Sequence, residues 1–354
     1  MDIYVIDRTD GVIDIVSTYQ SVIWNVQYFG QNDFQLVVNG SDENVELLKV
    51  GRYLAREEDR YYNNWLHPMA IQNTQLDFDP EKGWILTVSG KGLKNELFRR
   101  RIIWGQTSLT GLAELAIRQV VNDNVINPAN TDRKINSLYM SAVQGFTETI
   151  DVQLMGENLA DWLEEICTTY GYGWDVNYQD NGWYVFKLNK GYDRTTGYHP
   201  VIFSPELDNL ISASYKYDMA KYTNAALIGG EGEGSSQRTA TIGTASGWDR
   251  FETFVDGSSV SSNGEIITLS QYLKMLQEYG QTQLDQTAYT KSFSGEIDPD
   301  GVYKLGSDYA LGDIVKITNG KGISATARII EIIYAEDDSG YSVVPTFSEW
   351  EVIE

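Results

Sequence analysis

The chain is poor in the residues that most catalytic and metal chemistry requires. Among its 354 residues there is one cysteine, Cys167, and there are two histidines, His67 and His199. A single thiol forms no internal disulfide, so nothing in the sequence points to an oxidising compartment. Zinc sites need several His or Cys ligands at short spacing, which two separated histidines and one cysteine do not supply. Proline numbers only 7, which excludes a long proline-rich linker. No apolar run approaches the roughly 18 residues of a membrane helix, and the start MDIYVIDRTDG is charged and lacks an apolar signal core. The sequence therefore reads as a soluble, unexported chain that does not insert into a membrane. Basic residues are also scarce: 27 Lys and Arg face 50 Asp and Glu, a net charge of -23. That balance lacks the electrostatic footprint of a nucleic-acid binder.

Individual candidates for chemistry fare no better. His67 precedes Pro68 and His199 precedes Pro200, which predicts extended or turn backbone and surface or strand-edge imidazoles. No G-x-S-x-G elbow offers either histidine a nucleophile. Cys167 falls on the apolar face of a predicted helix, where a thiol acts as a small core side chain. The run GGEGEGSS at 229–236 follows a strand pattern, but it has no Walker lysine, and Glu231 and Glu233 would repel phosphate. It reads as a flexible loop. Asp298-Pro299-Asp300-Gly301 lacks the closing Glu of a calcium loop. Glu336-Asp337-Asp338, running into Ser339-Gly340, reads as a polar turn between strands. Fifty acids always offer carboxylate pairs, so glycoside hydrolysis cannot be assigned to any one pair. The sequence singles out no catalytic, cofactor-binding or metal-binding residue and calls for no cofactor.

What is abundant is aromatic and glycine: 23 Tyr, 9 Trp, 11 Phe and 32 Gly, a mixture that favours strands and tight turns. Tyr4 and Ile6 alternate before an Asp10-Gly11 turn. Val22, Trp24, Val26 and Tyr28 repeat every second residue, as do Phe34, Leu36 and Val38, the signature of half-buried strands. A further strand is predicted at 84–89. Near residue 105 the period changes. Leu109, Leu112, Ala113, Ala116 and Val120 share a helical face, with Ser108 or Thr110 available as a cap. A second helix is predicted at 157–170, capped by Asn158 and stopped by the glycines at 171 and 173. Strands at 174–178 and 183–188 flank an Asn181-Gly182 hairpin turn. Thr268 and Gln271 form a capping-box pair ahead of a third amphipathic helix. Strands return at 314–318 and 325–334, around an Asn319-Gly320 turn. The predicted class is α+β and mainly β. The predicted divisions are 1–100 as a β-barrel-like domain, 101–195 as an α/β domain and 196–354 as a second β-rich, barrel-like domain.

Several phrases resemble those of siphovirus-type tail-hub (baseplate-hub) proteins. Gly156-Glu157-Asn158-Leu159, followed by Ala160-Asp161-Trp162-Leu163, is similar to that family's helix start. Gly191-Tyr192-Asp193-Arg194-Thr195, then Val201-Ile202-Phe203-Ser204-Pro205-Glu206 and Asn209-Leu210, follow in the same order. Gly247-Trp248-Asp249-Arg250-Phe251-Glu252 continues it. Leu311-Gly312-Asp313-Ile314-Val315, Ala327-Arg328-Ile329 and Val344-Pro345-Thr346-Phe347 resemble the C-terminal strands of phage tail-tip proteins. The ordered set spans about residues 95–350.

The resemblance implies two barrel-like β domains around an α/β region. It also implies a homotrimeric ring that joins the tail tube and distal tail protein to the tape-measure, tip or fibre proteins. DNA would pass through the ring without specific binding. The implied place is the tail tip of a phage or prophage virion, built from chains made in the bacterial host cytoplasm. Relatives that carry a lytic domain do so in a C-terminal extension, so an ending near the shared strands implies a structural protein and no enzyme. An acidic lumen would repel passing DNA. Asp193, Arg194, Asp249 and Arg250 are expected either as buried or inter-domain ion pairs or as exposed turn pairs. The alternative to a hub is a glycan-binding or glycan-cleaving tip protein, motivated by the aromatic content.

Overall fold

The computed structural model describes residues 1–262, 267–298, 301–318, 324–348 and 351–352. The chain forms two compact units, Met1–Ser214 with Ser294–Glu354, and Tyr215–Phe293. The first unit is thus built from two stretches distant in sequence. Mainly β structure is found, as expected, spread over several sheets.

The principal sheet of the first unit contains β1 (Ile3–Asp7), β2 (Gly11–Val16), β3 (Ser21–Gln27), β4 (Asp33–Asn39), β5 (Tyr53–Arg56), β6 (Met69–Asp79), β7 (Gly83–Gly92), β8 (Ser324–Asp337) and β9 (Gly340–Phe347). They lie in the order β9-β8-β3-β4-β7-β6-β5-β1-β2. Each neighbouring pair is antiparallel. The alternation in β3 and β4 sets the register. Trp24 pairs with Phe34 on one side and Tyr334 on the other, and Leu36 pairs with Val88. Val22, Trp24, Val26, Tyr28, Phe34, Leu36 and Val38 are all buried, so a one-residue slip would expose the whole set. Gly90 sits opposite both Phe34 and Ile71 beside a bulge at Ile71/Asn73. A Cβ there would meet the Ala70 carbonyl oxygen at 1.8 Å, so the close approach requires glycine. The N-terminal amine meets Glu336 at 2.7 Å and the Tyr19 hydroxyl donates to the same carboxylate at 2.6 Å. Burial opposes the Glu336 charge, but these two partners hold its carboxyl below the usual range. Asp337 accepts from Ser339 N at 2.8 Å, which closes the polar turn between β8 and β9. The predicted Asn319-Gly320 turn lies outside the described residues.

Among its described residues the same unit carries four α-helices: α1 (Asp42–Leu47), α2 (Leu93–Phe98), α3 (Ala113–Val121) and α4 (Leu159–Tyr170). A five-stranded sheet accompanies them, with Gly173–Gln179 between Tyr184–Asn189 and Asn64–Trp65. The core shared by α2, α3, α4 and this sheet includes Trp65, Phe98, Ile117, Leu163, Cys167, Trp174 and Phe186. Asn158 caps α4, accepting from Ala160 N at 3.0 Å and Asp161 N at 3.3 Å, and Gly171 ends it at φ +69°. Asn158→Ala is expected to cost about 1 kcal/mol in chemical unfolding, because two helix-start amides lose their acceptor. The helix predicted from Leu109 begins later, at Ala113. Residues Gln106–Leu112 form a strand, paired throughout with Thr149–Met155 from Gln106–Met155 to Leu112–Thr149. Leu109 and Leu112 stand three apart by coincidence with helical spacing, and the cross-strand ladder prevails over that spacing.

In the second unit, Ala225–Gly229 is flanked by Thr239–Ile242, antiparallel, and Glu252–Asp256, parallel. Helix α5 (Leu269–Asp285) covers the sheet through Tyr272, Leu276 and Leu284 on Ala226, Ile228, Ala240 and Val255. The Thr268–Gln271 capping box is formed in both directions. Residues 230–236 form the loop expected, with one 3-10 turn at Gly234–Ser236. Gly230 N donates to Arg238 O and Arg238 N to Glu231 O, both at 2.8 Å. Glu231 N donates to the Tyr272 hydroxyl at 2.7 Å, and the Glu231 carboxylate accepts from Ser262 N at 2.7 Å. The glycines admit this packing: a Cβ at Gly230 would lie 2.4 Å from the Tyr272 hydroxyl oxygen.

Candidate functional site

The two histidines separate. His199 is exposed beside Tyr198, as expected. His67 is only 28% exposed, adopts φ +51°, and places its Nδ1 against the Asp175 carboxylate. Its backbone is the turn alternative and not the extended one, just ahead of the strand from Met69, and its ring is partly covered. The left-handed backbone before Pro68 sets its ring against Asp175 on the strand Gly173–Gln179. Cys167 is fully buried, and burial pushes its thiol far above the ordinary range, which keeps it protonated and inert.

Asp175 belongs to a buried polar cluster that no sequence pattern announces. Lys94, on α2, is 0% exposed, and its Nζ donates to Gln27 O at 2.7 Å and Trp174 O at 3.4 Å. Burial pushes its ammonium down to about 8. Burial also opposes the Asp175 charge, yet His67 and Lys94 together hold its carboxyl below the usual range. Between about 8 and the ordinary 10.5 of lysine, the unfolded chain binds a proton that the folded chain has released. Stability therefore rises with pH across that window, by about 3 kcal/mol over its full width. Lys94→Met is expected to flatten this rise in urea titrations run between pH 7.5 and 9.5.

His67 also lines a cavity of about 420 Å³, walled in part by Arg56, Asp59, Tyr334 and Leu311. Arg56 is 2% exposed and grips Asp59 with two bonds of 2.7 Å, Nε to Oδ2 and Nη2 to Oδ1. Its guanidinium lies 3.4 Å from the centre of the Tyr334 ring. Burial opposes the charge, and the Asp59 carboxylate more than offsets this, raising the Arg56 pKa. In sequence this pair hides within the charged run REEDR at 56–60, which resembles a solvated face.

The family-like phrases converge on a second point. Asp313 is buried and accepts from Tyr192 N at 2.7 Å, Arg194 Nε at 2.9 Å and Ala310 N at 3.1 Å. Arg194 thus pairs with Asp313 and not with its neighbour Asp193, which caps Thr195 instead. A Cβ on Gly191 would strike the Gly312 carbonyl oxygen at 1.8 Å, so the phrases 191–195 and 311–315 are fitted to each other. Arg250 likewise ignores Asp249 and donates to Glu252 at 2.6 Å. Of the Asp298–Gly301 phrase, Pro299 and Asp300 lie outside the described residues. Among the described residues no group of three or more His, Cys, Asp or Glu could hold a metal. Nor does any described helix have the length and apolarity to cross a membrane.

A family model described as siphovirus ReqiPepy6 Gp37-like protein matches residues 2–347. The chain belongs to this family. The Gp37-like chain also shares its fold with solved prophage tail proteins. The 43 kDa tail protein of prophage MuSo2 from Shewanella oneidensis matches at 13% identity and a TM-score of 0.59, over 99% of this chain and 98% of the other. A tail protein from Neisseria meningitidis MC58 matches at 13% identity and 0.56, over 98% and 96%. No curated protein matches the sequence. The family is that of siphovirus tail proteins, in agreement with the resemblance drawn from the sequence.

Proposed function

We propose that this Gp37-like chain is a structural, non-enzymatic hub of the tail tip, assembled as a homotrimeric ring. The ring links the tail tube and distal tail protein to the tape-measure, tip or fibre proteins, and DNA passes through it without specific binding. The observation that carries the reading is a fold shared end to end with a prophage tail protein, over 99% of the chain, in a member of a siphovirus tail family.

Two physical features support assembly. Strand β2 forms one end of the principal sheet, and its Val12, Ile13 and Ile15 are 41%, 36% and 42% exposed. An apolar edge strand of this kind is a template for pairing with another chain. The net charge of -23 suits a lumen that DNA must not adhere to. The division into 1–100, 101–195 and 196–354 is retained as a proposal for the domain organisation; limited proteolysis at 100 and 195 tests it.

Position is tested by immunogold labelling of intact virions with antibody to this chain. The reading requires label confined to the end of the tail distal to the capsid. Label along the shaft or at the capsid neck would refute a tip location.

A further inference from the structure

One face of the first unit gathers cations that its own carboxylates do not neutralise. Arg99, Arg100 and Arg101 follow directly on α2. Arg133 Nη2 donates to Ile102 O at 2.6 Å, which brings Arg133 beside them, with Lys134 next in the chain. Arg100 lies 3.9 Å from Glu96. Among the described residues no carboxylate comes within 4.0 Å of Arg99, Arg101, Arg133 or Lys134. Burial and the Arg101 charge both hold the Arg133 guanidinium below its ordinary value, as expected where like charges are held together. Gathered like charges oppose folding, and the chain has acids to spare. Without these five cations it keeps 22 basic residues against 50 acidic ones, a net of -28. Two apolar side chains stand among the cations. Ile102 is 43% exposed and Trp104 66%, and the Trp104 ring lies 5.1 Å from the Arg133 guanidinium carbon.

An anionic surface with an apolar centre fits such a face, and the chain carries one itself. Strand β2 exposes Val12, Ile13 and Ile15, and Asp10 and Asp14 are exposed beside them. The neighbouring charges are engaged: Asp7 lies 3.4 Å from Arg52, and Arg8 sits over the Tyr53 ring at 4.9 Å. Asp10 and Asp14 have no cation within 4.0 Å among the described residues. Nucleic acid fits less well. The phosphates of a duplex would meet the cations but offer Ile102 and Trp104 no apolar contact, and a chain of net charge -23 repels a polyanion. Tryptophan and arginine together are typical anchors of protein–protein contacts.

We propose that the basic face at 99–104 of one copy receives the β2 edge of a second copy, its arginines against Asp10 and Asp14, and Ile102 and Trp104 against Val12, Ile13 and Ile15. Two different surfaces meet, so the contact is head-to-tail, and three such contacts close a ring. The contact presupposes the ring proposed above and supplies the surface that β2 meets. It is tested on the full chain by size-exclusion chromatography with light scattering at low and high salt, with circular dichroism as the check on folding. The native trimer should dissociate more readily as salt rises. Arg99→Glu/Arg101→Glu and Asp10→Lys/Asp14→Lys should each weaken association by at least about tenfold with an unchanged dichroism spectrum. Combining all four substitutions should restore the trimer, because opposite charges then face each other again; a merely structural defect would not be rescued. A trimer that survives both reversals would overturn the contact and leave the ring standing. A native chain that forms no trimer beside its distal tail neighbour would remove the ring and the contact with it. Two monomeric reversals that the fourfold variant fails to restore would also overturn the contact. So would retention of duplex DNA by the native chain that Arg99→Glu/Arg101→Glu abolishes without loss of the trimer.

Discussion

Asp59→Ala is expected to lower the free energy of unfolding by about 3–5 kcal/mol, measured by urea denaturation at neutral pH. The magnitude follows from what is left behind. Arg56 is 2% exposed and a guanidinium does not deprotonate in a protein, so the variant must bury an uncompensated cation. The Tyr334 face, 3.4 Å from the guanidinium carbon, attracts that charge but cannot replace two hydrogen bonds to a carboxylate. The double variant Arg56→Met/Asp59→Leu should recover most of the loss, because replacing a whole buried pair by apolar groups is often close to neutral. A loss under 1 kcal/mol for Asp59→Ala would mean that water or a bound group already satisfies Arg56. The exposed Lys274–Glu278 pair, 3.5 Å apart with side chains 77% and 65% exposed, is the control. Breaking it should change stability by no more than about 1 kcal/mol.

The second large effect concerns assembly. Ile13→Lys combined with Ile15→Lys is expected to convert the proposed trimer to monomer while leaving the melting temperature of the monomer within a few degrees. Both side chains are exposed on a strand that pairs on one side with β1, so folding asks little of them. Lysines on an edge strand are the usual obstacle to edge-to-edge pairing. Size-exclusion chromatography with light scattering reads the outcome. A doubly substituted chain that still runs as a trimer would remove β2 from the interface.

How much of this was legible in the sequence follows from the range of each interaction. The strands β3 and β4 were readable because Val22, Trp24, Val26 and Phe34, Leu36, Val38 alternate strictly, and period two has one structural meaning. The Asn158 cap and the Thr268–Gln271 box were readable because capping is decided within four residues. The start of α3 was misplaced because Leu109 and Leu112 satisfy a helical spacing, whereas the ladder to Thr149–Met155 that claims them lies some forty residues away. His67 and Asp175 are 108 positions apart, and no local pattern joins them. Lys94 is the extreme case, since its burial is set by Gln27 and Trp174, one far upstream and one far downstream. The phrases 191–195 and 311–315 were noted for their resemblance. That they meet at Asp313 is visible only in three dimensions.

The most direct test of the hub reading is the mass and shape of the purified chain, by multi-angle light scattering and negative-stain imaging in the presence of its distal tail neighbour. The account predicts particles of three chains, forming rings with a central channel. A chain that remains monomeric beside that neighbour, or that closes into a compact dimer without a channel, would contradict it.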